Sequence, residues 1–117
     1  MKVIRFKDFF DLSTGENLRN YTKECILRDN KEFIMEYIEN GIHGMIKASS
    51  NDGHYFEGQY YDIKPQESVL GDVVFKLYKS PINDKEYFIF FKRIPYKTNS
   101  KEEFRGGELI IDRIIEE

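Results

Sequence analysis

An Asp52-Gly53 dipeptide stands between two stretches of alternating apolar and polar residues, and this feature constrains the fold most. The flanking stretches are Ile42–Ser49 and His54–Ile63. Side chains in a β-strand point alternately to opposite faces, and Asp-Gly supplies the positive φ that a two-residue hairpin turn requires. The sequence therefore predicts an antiparallel hairpin over residues 42–63.

The turn position also predicts which side chains of this hairpin share a face. We expect one face to form the core, with the other carrying exposed aromatic and thioether groups. The predicted core face holds Ile42, Ile46, Ala48, Tyr55, Tyr61 and Ile63. The predicted open face holds His43, Met45, Lys47, Ser49, His54, Phe56, Gly58, Tyr60 and Asp62.

The sequence pattern of the N-terminal third predicts two helices. Ser13-Thr14-Gly15-Glu16 matches a capping box, and apolar residues then recur at helical spacing up to about Arg28. Asn30 would cap a second helix over Lys31–Glu39, which Asn40-Gly41 would end. The buried stripes would be Leu18, Tyr21, Thr22, Cys25 and Ile26 in the first helix, and Phe33, Ile34, Tyr37 and Ile38 in the second.

Four further stretches favour strands, namely Lys2–Phe6, Asp72–Lys79, Glu86–Ile94 and Glu108–Ile115. Within the third, Tyr87–Phe91 is apolar on both faces and indicates a central strand, whereas the last favours an edge strand over a helix. The length of 117 residues predicts a single domain, 1–117. The expected class is α+β, with two N-terminal helices packed on a mostly antiparallel sheet of four to six strands.

The composition indicates in which cellular compartment the protein is expected. The net charge is −3 and the chain has one cysteine, so no internal disulfide forms. No apolar run approaches the roughly 18 residues of a membrane span, and Met1–Arg5 meets charge too soon for a secretory signal. A free thiol and moderate acidity predict a small acidic protein of the cytoplasm.

The sequence carries no constellation of catalytic residues, and we expect a protein without enzymatic activity, cofactor or metal. Nucleophile-elbow, Walker A and dinucleotide-binding glycine motifs are absent. The two histidines, His43 and His54, fall roughly 20–25 Å apart in the predicted hairpin at about 3.3 Å per residue, too far to act on one atom. Cys25 lies on an apolar helical face, where a buried structural thiol is expected.

Charge is segregated along the chain. Residues 8–40 carry eight acidic and four basic side chains, whereas residues 76–105 carry eight basic and four acidic ones. The basic stretch supports two alternative functions. One is nucleic-acid binding through lysines interleaved with aromatics. The other is binding of a small anion, such as a nucleotide or phosphate, by Arg105 and the Gly106-Gly107 backbone.

The first hypothesis is a protein-binding module, because two short helices cover only about one face of a small sheet. Tyr, Phe and Met on the uncovered face favour a partner surface or a homodimer contact. The style of the sequence is typical of a bacterial or phage gene, and a small inhibitor, an immunity-type protein or an anti-defence protein would act by occluding a surface. The predicted partner-binding residues are His43, Met45, Phe56, Tyr60, Lys92, Arg93, Lys97 and Arg105.

Overall fold

The chain folds as an antiparallel sheet. A computed structural model describes residues 1–11, 17–39, 41–64, 68–82, 87–96, 106–111 and 113–116. Within these ranges ten strand segments form one sheet, and the only helical element is a 3₁₀ turn at Leu18–Asn20. The predicted α+β class is therefore wrong. The segments are β1 (Val3–Phe6), β2 (Phe9–Asp11), β3 (Thr22–Arg28), β4 (Glu32–Glu39), β5 (Ile42–Ser49), β6 (Tyr55–Lys64), β7 (Ser68–Lys79), β8 (Tyr87–Pro95), β9 (Gly106–Ile111) and β10 (Ile114–Glu116).

The sheet closes on itself. Its order is β10-β1-β3-β4-β5-β6-β7-β8-β9-β2, with every pair antiparallel. Phe6 pairs with Ile114 and Phe9 pairs with Ile111, so one register continues from β1–β10 into β2–β9. The Lys7 N–H donates to the Arg113 carbonyl at 3.2 Å in the gap between them. Thus β1–β2 and β9–β10 each act as one strand, and the ten segments make a closed cylinder of eight.

The predicted helices are instead the hairpin β3–β4. Its turn, Arg28–Lys31, is closed by the Lys31 N–H donating to the Arg28 carbonyl at 2.9 Å. Asp29 and Asn30 have φ of 51° and 55°. Positive φ at both central residues is the requirement of a type I′ turn, which Asn and Asp tolerate better than other side chains. The dipeptide that was expected to break a helix therefore reverses a strand.

The side chains of β4 show why the helical prediction was wrong. Phe33 is buried, and Met35 and Tyr37 pack partly against the core, so the inward residues recur at a period of two. Ile34 and Ile38 point outward, and Ile38 is 46% exposed. Because these two outward isoleucines fill the positions that a helical stripe also needs, apolar spacing alone favoured the wrong period.

The predicted hairpin at β5–β6 exists, but its predicted register is wrong by one residue. Ala48 pairs with Gly58 and Ser49 with Glu57, which leaves residues 50–54 in the loop. A shift of one residue moves every side chain of a strand to the other face. The face of β6 that was expected to be open is therefore the interior face.

Hydrogen bonds in the loop account for its length. Asp52 Oδ1 accepts from the N–H groups of His54 at 2.8 Å and Tyr55 at 2.9 Å, and from the Ser50 hydroxyl at 3.0 Å. The Gly53 N–H donates to Ser50 Oγ at 2.9 Å, and Gly53 alone has the positive φ expected of the turn. This network favours a five-residue loop over the two-residue turn.

The interior of the cylinder is filled with apolar side chains. Phe75 stacks on Phe56 with ring centroids 4.7 Å apart, and the Phe33 ring meets it edge-on at 4.8 Å. The core cluster consists of Ile4, Phe6, Phe9, Cys25, Leu27, Phe33, Ile46, Ala48, Phe56, Tyr60, Val73, Phe75, Leu77 and Ile89. In the part of the chain that the structure describes, no helix has the length and hydropathy needed to cross a membrane.

The C-terminal strands correct one further prediction. Residues 106–111 form β9, so the choice of strand over helix is confirmed, but β9 lies between β8 and β2 and is not an edge. The strand β8, which contains Tyr87–Phe91, lies between β7 and β9, as a central strand should. The single-domain assignment over 1–117 stays a prediction.

Candidate functional site

A broad concavity of the described surface lies on the outer face of the sheet and crosses strands β4 to β8. Its volume is about 970 Å³. We call it the outer groove and define it by its outward side chains, which are Glu32, Ile34, Lys47, Ser49, Glu57, Gln59, Tyr61, Val69, Asp72, Val74 and Ile94.

Strand register aligns most of these side chains in two neighbouring rows. Residues that pair across an antiparallel sheet project to the same face, so a paired series makes a row across the strands. The first row runs through Glu32, Ser49, Glu57 and Val74. The second row runs through Ile34, Lys47, Gln59, Asp72 and Ile94.

Tyr96, just after β8, joins the second row through hydrogen bonds. Its hydroxyl donates to Asp72 Oδ1 at 2.6 Å and accepts from Gln59 Nε2 at 3.0 Å. The Tyr96 N–H donates to the Leu70 carbonyl at 3.0 Å, which anchors the backbone to β7. The bond to Asp72 raises the pKa of the Tyr96 hydroxyl, so the phenol remains a proton donor at neutral pH. These contacts position an aromatic ring that is 52% exposed.

A second aromatic contact lies in the groove beside β5. The Tyr61 hydroxyl donates to Met45 Sδ at 3.0 Å. The Lys47 ammonium lies 5.9 Å from the centroid of the Tyr61 ring, at the outer limit of a cation–π contact. Tyr61 therefore holds both a thioether and a cation against the outer face.

The structure separates the predicted partner-binding residues into two groups. His43 and Met45 lie on the outer face of β5 and are partly buried. Phe56 and Tyr60 lie inside the cylinder at 0% and 1% exposure, so neither can contact a partner in the folded chain. Their inward placement follows from the register of β5–β6 described above.

His43 forms an ion-pair contact on the outer face. Its Nε2 lies 3.2 Å from Glu36 Oε2, and the Lys23 ammonium lies 3.9 Å from the same oxygen. The hairpin separates His43 from His54 by its full length, as the sequence predicts, since His43 pairs with Lys64 while His54 lies in the loop. The two imidazoles cannot act together on one metal or one substrate atom.

The predicted basic residues fall at the limit of what the structure describes. Lys92 and Arg93 belong to β8, where their backbone pairs with Val74 and Val73. Lys97 and Arg105 lie outside the described residues. These four stay predictions as partner-binding residues.

The two glycines of the predicted anion site lie within strand β9. Gly106 pairs with Lys92, and Gly107 with Phe91. Successive N–H groups of an extended strand point to opposite sides, whereas an anion-binding nest needs them to converge. The backbone at Gly106-Gly107 therefore does not have the shape on which that hypothesis depended.

The described residues contain little that points to catalysis. No group of three His, Cys, Asp or Glu side chains among them could hold a metal ion. Cys25 is 1% exposed, and burial raises the pKa of its thiol, which disfavours the thiolate that a nucleophile requires. Comparison with known protein families, curated proteins and solved structures finds no match to this chain.

Sequence reasoning missed the groove residues Glu57, Gln59 and Asp72, and also Tyr96, which is hydrogen-bonded to two of them. The signal for the first two was present, since Glu57 and Gln59 alternate with Phe56, Gly58 and Tyr60 along β6. With the hairpin register shifted by one residue, this alternation indicates a polar outer face. No local pattern links Asp72 to Tyr96, which pair only because β7 and β8 are neighbours.

Proposed function

We propose that the protein is a non-enzymatic protein-binding module that engages its partner through the outer groove. The observation that carries this proposal is the exposure of large apolar side chains within a concave surface. Val69 and Ile94 of the groove are 47% and 41% exposed. Tyr96, which is hydrogen-bonded to the groove residues Gln59 and Asp72, is 52% exposed. Exposed apolar groups gathered in a groove with a polar rim are typical of recognition sites, whereas scattered ones are ordinary.

The filled interior also favours the outer face as the working surface. Ligand-binding cylinders of this size hold a small molecule inside, but here Phe56, Phe75 and Tyr60 occupy the described interior. A filled interior and an open outer groove favour a partner large enough to cover the groove over a small molecule held inside the cylinder. In the occlusion mechanism, the module covers a surface that its partner needs for its own activity.

The two alternative functions receive less support from the described residues. A nucleic acid brings phosphates, which the carboxylates of Glu32, Glu57 and Asp72 would repel at the groove. The basic stretch 76–105 contributes exposed Lys76 and Lys79 on β7, and most of its other charges have no described side chain. Nucleic-acid and small-anion binding stay predictions from the sequence.

A cytoplasmic location belongs to the same proposal. Cys25 is a free thiol, and a reducing compartment keeps such a group from intermolecular oxidation. This part of the proposal rests on the chemistry of the free thiol alone.

A pair of matched isoleucines tests the groove. Ile94 lies in it and Ile42 lies outside it, and both are 41% exposed on strands of the same sheet. We expect Ile94→Gln to weaken capture of a partner from an extract of the native host, because it removes about 1 kcal/mol of apolar burial, roughly fivefold in affinity. The matched Ile42→Gln should leave capture unchanged.

The solution mass of the protein completes this test. A wild-type dimer that becomes a monomer only with Ile94→Gln would identify a second copy as the occupant of the groove. Equal capture by both variants, from a host in which the wild-type protein does find a partner, would show that recognition takes place elsewhere.

A further inference from the structure

The carboxylates of the outer groove differ from the other described carboxylates of the outer face. Glu24 pairs with Arg5, and Glu116 pairs with Lys2. Glu36 faces the Lys23 ammonium and the His43 imidazole. These three carboxylates of the outer face therefore each have a basic partner within the chain.

The groove carboxylates form no such ion pair with any described residue. Among the described residues, no ion pair involves Glu32, Glu57 or Asp72. Asp72 accepts only the neutral Tyr96 hydroxyl, and Glu57 interacts with the neutral hydroxyl of Tyr55. The one described ammonium of the groove, Lys47, lies over an aromatic ring. The groove thus has a net negative charge, and charge gathered in a concavity produces a stronger field than charge spread over a convex surface.

A smaller depression extends this acidic surface toward the β5–β6 loop. Its volume is about 380 Å³, and it shares Ser49 and Glu57 with the groove. It adds Asp52, whose pKa is held at about 2 by hydrogen bonds from the backbone and from Ser50. Asp52 therefore stays ionised throughout the physiological pH range.

The dimensions of the groove fit a short length of extended chain. Five strands, β4 to β8, span about 19 Å at roughly 4.8 Å per neighbour, and six extended residues cover about 20 Å. Glu32 and Glu57 both pair with Ser49, so their Cα atoms are about 10 Å apart. Basic side chains two residues apart along an extended segment lie on the same side at a spacing of about 7 Å, and their long, flexible stems let the charged groups reach both carboxylates.

We propose that the outer groove binds an extended cationic segment of a partner protein, in which basic and apolar side chains share the alternate positions that face the groove. The basic groups contact Glu32, Glu57 and Asp72, while the apolar groups pack on Val69 and Ile94. This proposal rests on the proposed function, because it specifies the partner of the same groove. The carboxylates steer the segment into place, and the aliphatic contacts slow its release.

Labelled peptides test the chemistry of the occupant. The probe is a fluorescein-labelled peptide Arg-Ser-Arg-Ser-Arg-Ser-Leu, whose arginines and leucine lie on one side of the extended chain. Its binding to the full-length protein is followed by fluorescence anisotropy. We expect binding that weakens as salt rises from 20 to 300 mM and that disappears when glutamate replaces each arginine. Spermine, a small polycation, is the competitor. Displacement of the peptide by spermine at equal concentration would overturn the proposal in favour of a polyamine site.

Two double variants locate the binding on the molecule. Glu32→Gln with Glu57→Gln removes two groove charges, and Glu24→Gln with Glu116→Gln removes two charges elsewhere, so the change in net charge is identical. We expect the groove variant to bind the peptide about tenfold more weakly and the control less than twofold. Equal loss in both variants, or no binding by the wild type at millimolar peptide, would refute a cationic occupant.

The failure of this inference differs from the failure of the proposed function. If Ile94→Gln abolishes capture from the host extract while Ile42→Gln does not, the groove binds a protein, whatever the peptides show. If the peptides also fail, the occupant is not cationic. If the isoleucine pair shows no difference, the proposed function itself is lost.

Discussion

Replacement of Gly58 by alanine should destabilise the protein more than the same replacement of Gly44 on the neighbouring strand. A Cβ placed on Gly58 would lie 1.8 Å from the Lys47 carbonyl oxygen and 2.5 Å from the Ala48 Cα. Both neighbours are backbone atoms of the paired strand β5. Since real Cβ atoms almost never approach closer than 3.0 Å, β5 and β6 must separate by more than an ångström to accommodate the methyl group.

The cost of this separation has three parts. Overpacking of a well-filled site costs about 1–3 kcal/mol, and each strained ladder hydrogen bond costs about 1 kcal/mol more. The lower entropy of unfolded alanine returns about 0.4–1 kcal/mol. We therefore expect Gly58→Ala to lose about 3 kcal/mol of unfolding free energy and to lower Tm by about 10–15 °C. Urea unfolding measures the free energy and thermal unfolding measures Tm, each followed by far-UV circular dichroism and tyrosine fluorescence.

Gly44→Ala on the neighbouring strand is the control. Its Cβ would also collide, at 2.4–2.6 Å, but with the outer ring atoms of Tyr37. A side chain can rotate out of the way, so Gly44→Ala should cost about 1 kcal/mol, and no side-chain substitution at Ala48 should rescue Gly58→Ala. A Gly58→Ala variant within about 0.5 kcal/mol of wild type, or losses equal to those of Gly44→Ala, would refute the close backbone approach of β5 and β6.

Three further predictions test the fold. The Asp52 pKa, about 2 instead of 3.8, means that ionisation favours the folded state. This stabilisation is complete above about pH 4 and is lost as the pH falls to 2, so urea midpoints should drop more steeply over that range for wild type than for Asp52→Asn. Phe56→Ala should lower the free energy of urea unfolding by about 3–5 kcal/mol, and Tyr55→Ala should lower it by less than about 1 kcal/mol. The reverse order would mean that β6 presents its other face to the core. Asn30→Val should lower the unfolding free energy by about 1–2 kcal/mol, measured by thermal unfolding, whereas Asn30→Gly should leave it unchanged. Equal stability of the two variants would contradict a left-handed backbone conformation at residue 30.

Strand positions in the second half of the chain could be predicted because glycine and proline turn signals, such as Gly53, Pro65, Gly71 and Pro95, bound each stretch. The prediction for Ile42–Ser49 matches β5 at both ends, and those for Asp72–Lys79 and Glu86–Ile94 fall largely within β7 and β8. The helical prediction for the N-terminal half was wrong because the strands there have apolar residues on both faces. Ile26 is 5% exposed although its neighbours Cys25 and Leu27 already point into the core. Three consecutive buried residues fit a strand and a helix equally well, and only pairing with β1 and β4 decides between them.

A shift of one residue in the pairing of β5 with β6 decides which side chains line the candidate site. The local sequence encodes this register only weakly. Asp-Gly favours a two-residue turn, but in this loop Asp52 and Ser50 satisfy four hydrogen bonds that a tighter turn could not accommodate together. The longer loop shifts β6 by one residue, takes Phe56 into the core, and brings Glu57 to the surface. A surface that was expected to be aromatic becomes acidic with an aliphatic end. Recognition here consequently depends on long-range pairing, because Glu32, Glu57 and Asp72 have no common motif and meet only through the order of strands β4 to β7.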